Sequence, residues 1–152
     1  MDLTQISSVE IKRKNNQLTS EKELVDNLIL NLDIFVNNFL GEEIEFFKRE
    51  FTIGNQMFAK GTKPKVDIYI RTKNGKNIFI ECKNPRNMRA ESNNAIAQCL
   101  DYYIFAKDNN LALSDLILFT THLAPSAYRI ITHFNLPIKV FLLKEENIVQ
   151  LV

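Results

Sequence analysis

The stretch Val66-Asp67-Ile68-Tyr69-Ile70-Arg71-Thr72-Lys73-Asn74-Gly75-Lys76-Asn77-Ile78-Phe79-Ile80-Glu81-Cys82-Lys83 decides the fold. Two runs rich in β-branched and aromatic residues flank Asn74-Gly75. That pair suits a two-residue type I′ turn, in which both central positions need positive φ. The turn folds the run carrying Asp67 back onto the run carrying Glu81 and Lys83. Side chains alternate along a strand, so Glu81 and Lys83 point one way while Ile80 and Cys82 point the other. The hairpin therefore gathers an aspartate, a glutamate and a lysine, a set that suits a divalent metal and a hydrolytic reaction.

The elements around the hairpin follow from patterning. Ser20 as N-cap and Glu23 at N3 form a capping box, opening a helix expected over 20–40 and ending at Gly41. A first strand is expected at 46–53, and the hairpin strands at 65–72 and 77–83. After Asn84-Pro85, a second helix is expected over 93–107. The apolar run Leu116-Ile117-Leu118-Phe119 reads as a strand covered on both faces. A third helix over 125–134 and a strand at 138–143 complete the order α-β-β-β-α-β-α-β. A meander followed by a right-handed helical crossover gives an α/β fold with a mixed central sheet and helices on both sides. Residues 1–18 read as a loose arm or an added strand, and 19–152 as a single domain.

Composition narrows the function classes. At 152 residues and 45% hydrophobic, the chain holds enough apolar surface for a full core. No run of eighteen apolar residues occurs, which argues against a membrane helix. The N-terminus has neither a basic n-region nor an apolar h-region, so a cytoplasmic, intracellular protein is expected. Cys82 and Cys99 are too few for a four-cysteine metal site and read as small buried hydrophobes. No glycine-rich phosphate loop, Gly-x-Ser-x-Gly elbow or His-Glu-x-x-His motif appears, so no nucleotide cofactor is expected.

Net charge is only +1, but its distribution is uneven. Between Lys60 and Arg89 nine bases stand against two acids, Asp67 and Glu81, which leaves +7 around the hairpin. Such a field suits a polyanion, although edge strands also carry lysines to avoid aggregation.

On the first helix, Leu24, Val25, Leu28, Leu32, Phe35 and Phe39 fall within about 60° of Glu21. Glu23 is accounted for by capping. Glu21 sits at the end of the core-facing stripe, explained either by the helix macrodipole or by a partner at a metal site. On the second helix Gln98 and Tyr102 share a face, which either meets nucleic acid or packs into the core. His122 follows the fourth strand, either at a cleft or simply exposed.

These residues resemble the PD-(D/E)XK nuclease superfamily, the restriction-endonuclease-like fold with an αβββαβ core. The core corresponds to about 20–120, with an additional α-β at the C-terminus. The signature is carried by Asp67 and by Glu81-Cys82-Lys83. Glu21 is similar to the acid frequent on the family's first helix, and Gln98 to Tyr102 is similar to its Gln-x-x-x-Tyr element. Val66 replaces the usual proline, and Pro64 lies three positions before Asp67. The resemblance implies a DNA endonuclease using Mg²⁺, or Mn²⁺ as a substitute. It implies that Asp67, Glu81, the Cys82 carbonyl and Glu21 hold metal, and that Lys83 orients the water or stabilises the transition state. Gln98, Tyr102, Lys60, Lys63, Lys65, Arg86 and Arg89 are then expected at the nucleic acid, and a homodimer would let two sites cut both strands. A Holliday-junction resolvase of the same fold and a catalytically silent protein binding DNA or a partner are the alternatives.

Overall fold

The structure, a computed structural model, describes residues 8–12, 20–53 and 64–152. Its elements are β1 Ser8–Glu10, α1 Glu21–Leu30, α2 Leu32–Leu40, β2 Ile44–Thr52, β3 Lys65–Thr72, β4 Asn77–Lys83 and α3 Met88–Asp108. They continue with β5 Leu113–Thr120, α4 Pro125–His133, β6 Lys139–Lys144 and β7 Asn147–Gln150. The strands form one seven-stranded sheet in the order β1-β7-β6-β5-β4-β3-β2. The pairs β4/β5 and β5/β6 are parallel and the remaining pairs are antiparallel. This is the mixed α/β architecture of a restriction-endonuclease-like fold.

The sheet is covered on both faces. Against one face, Leu24, Val25, Leu28, Phe35 and Val36 of α1 and α2 pack on Ile68, Ile80, Ile117 and Phe141. Against the other, Ala95, Cys99 and Tyr102 of α3 and Ala127 and Ile131 of α4 pack on Tyr69, Phe79, Leu116, Leu118 and Val140. Burial on both faces explains the unbroken apolar runs Ile78-Phe79-Ile80 of β4 and Leu116-Ile117-Leu118-Phe119 of β5. Cys82 and Cys99 are free thiols in these two cores. Among the described residues no helix is long and apolar enough to cross a membrane.

The hairpin strands fall where patterning puts them, but the turn is not the expected two-residue type I′. Only Gly75 has positive φ (79°), and with the Thr72 N–H donating to the Lys76 carbonyl at 2.9 Å the loop is residues 73–75. Strand β7 adds to the expected order, and both expected helices ahead of β5 differ. The expected first helix is broken at Asn31, which lies between α1 and α2 with φ −117° and ψ 17°. Its buried amide takes the Lys12 N–H at 3.0 Å and gives a proton to the Lys12 carbonyl at 2.8 Å. The break thus supplies a strand-like partner to the chain leaving β1. The second helix begins at Met88 rather than 93, because Asn87 caps it by accepting the Ala90 N–H at 3.3 Å. Ser20 caps α1 as expected, accepting the Glu23 N–H at 3.2 Å.

Candidate active site

The site lies where the β3–β4 ladder opens. The last paired residues are Ile68 and Ile80, so Asp67 stands opposite Glu81 one step further along. In place of a further ladder bond, the Cys82 N–H donates to Asp67 Oδ2 at 2.8 Å. A backbone donor therefore fixes the first acid, and the strand alternation turns Glu81 toward α3. There the Tyr102 hydroxyl lies 2.8 Å from Glu81 Oε2 and 2.8 Å from the Lys65 carbonyl oxygen.

The electrostatics of this pair are unusual. Glu81 is only 6% exposed. Burial, and then the charge of Asp67, push its carboxyl up to about 8, against the opposing hydrogen bond from Tyr102. Asp67 is also raised, mainly by burial, with the Cys82 N–H pulling the other way. Like charges forced together out of water cannot both ionise freely. With both carboxylates ionised, the Asp67–Glu81, Tyr102–Glu81 and Tyr102–Lys65 contacts would share a single proton. A proton on Glu81 supplies a second. The pair is short of positive charge.

Lys83 closes the site at the end of β4. Its Nζ lies 3.2 Å from Glu21 Oε1 at the N-terminus of α1, with 17% and 48% side-chain exposure respectively. Glu21, one residue past the Ser20 cap, is thus brought to the site, and its charge is felt at Asp67. Glu23 instead lies at the capping position. Among the described residues no cluster of three or more His, Cys, Asp or Glu groups is set to hold a metal. The reason is local: Glu21 is turned to Lys83, leaving two acids facing each other. Two carboxylates still suit Mg²⁺, a hard cation that keeps several waters and takes one or two protein carboxylates. The residues present fit such an ion, since it would supply the positive charge that the acid pair lacks.

The expected nucleic-acid residues divide. Tyr102 is buried and holds Glu81, a role that its helical spacing alone does not reveal. Gln98 lies one turn earlier on α3 and is exposed. Lys65 is exposed two residues before Asp67, and Arg86 and Arg89 are exposed around the start of α3. Lys60 and Lys63 lie outside the described residues. Arg86 lines a cavity of about 360 Å³ with Ser20, Glu21, Asn84 and Glu91. Glu91, unremarked in the sequence, shapes that loop by accepting the Arg86 and Asn87 N–H groups, the latter at 2.7 Å. With the helix expected from 93, Glu91 fell in the preceding loop, and the Asn87 cap that moves the start to Met88 is what places it on the first turn.

The basic surround is smaller than the count suggests. Arg71, Lys73 and Lys76 sit at the turn end of the hairpin, where they pair with Glu45, Glu43 and Glu42. Sequence distance hid these acids from the local count, and the sheet returns them to it.

By sequence, the chain matches no protein-family model and no curated protein. By structure, it is similar to a repair endonuclease from Pyrococcus abyssi, with a TM-score of 0.51 and 16% identity over 86% of this chain and 50% of that one. It is also similar to a chain in an EndoMS-dsDNA2 complex, with a TM-score of 0.50 and 20% identity over 88% of this chain and 49% of that one. The chain spans about half the length of each. At such identity the likeness is one of fold.

Proposed function

We propose that this chain is a divalent-metal-dependent DNA endonuclease of the PD-(D/E)XK type. One observation carries the reading: Asp67 and Glu81 face each other at the open end of the hairpin ladder, short of positive charge, with Lys83 next on the same strand. The likeness of fold to a repair endonuclease and to a chain from a double-stranded DNA complex supports DNA as the substrate.

Asp67 and Glu81, with the Cys82 carbonyl, would hold Mg²⁺ or Mn²⁺. Such an ion, when bound, polarises a phosphate and acidifies water. The protein's own residues do the rest. The Cys82 N–H and the Tyr102 hydroxyl hold the two carboxyls in place, so little reorganisation accompanies the reaction. Lys83, half-sheltered and paired with Glu21, presents a fixed cation to charge developing on the phosphate. Lys65, Arg86 and Arg89 would meet the backbone, positioning the substrate without reading its sequence.

The test is a cleavage panel of supercoiled, linear, single-stranded and four-way-junction DNA with Mg²⁺ or Mn²⁺. It is repeated with Asp67→Asn, Glu81→Gln and Lys83→Ala. Metal-dependent nicking by wild type that all three substitutions abolish is expected. Preference for the junction would make the protein a resolvase. Equal nicking by wild type and variants, or binding without cutting, would sink the reading.

A further inference from the structure

The nuclease reading leaves unused a turn beside Lys83 whose bonding exceeds what a surface loop needs. Strands β4 and β5 run parallel and end together, Lys83 beside Thr120. In open α/β sheets, ligands bind outside the carboxyl ends of such strands. Beyond β5 the chain is pinned repeatedly. The buried Thr120 hydroxyl donates to the His122 carbonyl at 2.8 Å. The Thr121 N–H donates to the Lys83 carbonyl at 3.4 Å. The Thr121 hydroxyl donates to Asn84 Oδ1 at 2.7 Å, and the His122 Nδ1 lies 3.1 Å from the same Thr121 oxygen. Two residues on, the Ala124 N–H donates to the buried Ser92 hydroxyl of α3. All this order holds one exposed imidazole.

Proton counting fixes the ring's chemistry. A threonine hydroxyl has one proton, and that of Thr121 goes to Asn84. With that oxygen accepting, the ring meets it through Nδ1–H and leaves Nε2 as the outward nitrogen. When Nε2 is also protonated, the ring offers a charge-assisted hydrogen bond to an anionic oxygen. Asn84, at the far end of this chain of bonds, lines the cavity shared with Glu21 and Arg86. The bonded series thus runs from that cavity wall to the histidine.

We infer that His122, held by Thr121 and Asn84, is a further substrate-contact residue that takes a backbone phosphate of the nucleic acid bound beside Lys83. The inference rests on the nuclease reading for its substrate and extends it to a specific atom, Nε2. Thr121 acts as a positioning residue, since it touches the ring and not the phosphate.

The experiment uses the full chain and a fluorescein-labelled DNA duplex. Binding is followed by anisotropy with Ca²⁺ across a salt series, and turnover with Mg²⁺ is measured separately. His122→Ala should bind about tenfold more weakly, the scale of one charge-assisted bond. Its slope of log affinity against log salt should fall by about one phosphate contact. Its KM should rise with kcat nearly unchanged. Thr121→Val should show a smaller share of the same loss, and Thr121→Ser should restore it. Wild-type affinity and salt slope in His122→Ala would overturn the inference, as would weaker binding with an unchanged slope. Wild type that binds the duplex but never cuts it would overturn the nuclease reading alone, because the binding arm needs no turnover. Wild type that binds no duplex would overturn both.

Discussion

The two ends of one hairpin treat charge in opposite ways. At the turn end, Lys76 meets Glu42 at 2.7 Å, Lys73 meets Glu43 at 2.9 Å and Arg71 meets Glu45 at 3.4 Å. Asn74 adds a hydrogen bond to Glu42 at 2.8 Å. The hydrogen bonds from Lys76 and Asn74 hold the Glu42 carboxyl below its usual range. At the open end, the half-buried Asp67 faces the buried Glu81, and both carboxyls are pushed up. Opposite charges meet where only folding is at stake. Like charges are kept together where a ligand would complete them, a departure from local consistency that marks functional sites.

The largest effects are expected from the open end. Asp67→Asn, Glu81→Gln and Lys83→Ala should each lower the nicking rate by at least ~10³-fold, the scale of losing several kcal/mol of transition-state stabilisation. None should melt much below wild type. An unchanged rate in any of them would break the contrast, because the buried like charges would then have no chemical purpose.

The next effect is on stability and its pH dependence. Glu81 titrates near 8 in the metal-free fold, against an ordinary value of 4.5. Its raised value contributes stability that is fully present below pH 4.5. That stability is lost as pH rises to about 8, because the unfolded chain has already released the proton. Over that window the loss is on the order of 5 kcal/mol at most. Glu81→Gln, which mimics the protonated acid, should therefore gain on wild type steadily from pH 4.5 to about 8 and keep that advantage above it. Denaturant melts across this range measure the difference. A flat difference curve would mean that the fold does not hold the Glu81 carboxyl above its ordinary value. Mg²⁺ should bind wild type more tightly as pH rises and level off near 8, since the ion displaces the Glu81 proton.

A smaller effect is expected one step back from the acids. Tyr102→Phe removes the hydroxyl between Glu81 and the Lys65 carbonyl while keeping the ring in its core. The rate should fall by about tenfold, the low end of what one hydrogen bond to a carboxylate is worth. The metal requirement should shift to higher concentration, measured as the Mg²⁺ dependence of nicking. A Tyr102→Phe protein with wild-type metal dependence would show that Glu81 needs no support from α3.

How much of this was legible depended on the distance over which each signal acts. The strands Lys65–Thr72 and Asn77–Lys83 follow from the Asn74-Gly75 break and a period of two, signals carried within the hairpin itself, whereas the turn type was misread, since only Gly75 takes positive φ. The Ser20 cap is similarly local. The break at Asn31 was not legible, because its cause is Lys12, nineteen residues away. Strand β7 was missed because its turn places Glu145 at φ 53°, where glycine or asparagine would have signalled a hairpin. Tyr102 and Gln98 share a face by periodicity, yet spacing cannot tell which one reaches into the sheet. The acids at 42–45 that answer the hairpin's bases are likewise brought there only by the pairing of β2 with β3.

The smallest effect should come from the turn end, and it tests the contrast from its other side. Lys73 and Glu43 are each about two-thirds exposed, so their attraction is screened by water and offset by the ordering of two long side chains. Lys73→Ala and Glu43→Ala, singly or together, should melt within error of wild type, and salt should not separate them. If instead Glu43→Ala cut DNA faster while the double variant did not, the acid would be shielding a base that the substrate can use. The hairpin's basic count would then belong to function after all. An unchanged rate with unchanged melting would mean that the two ends differ in kind: paired charges that keep an edge soluble at one, unpaired acids awaiting a cation at the other.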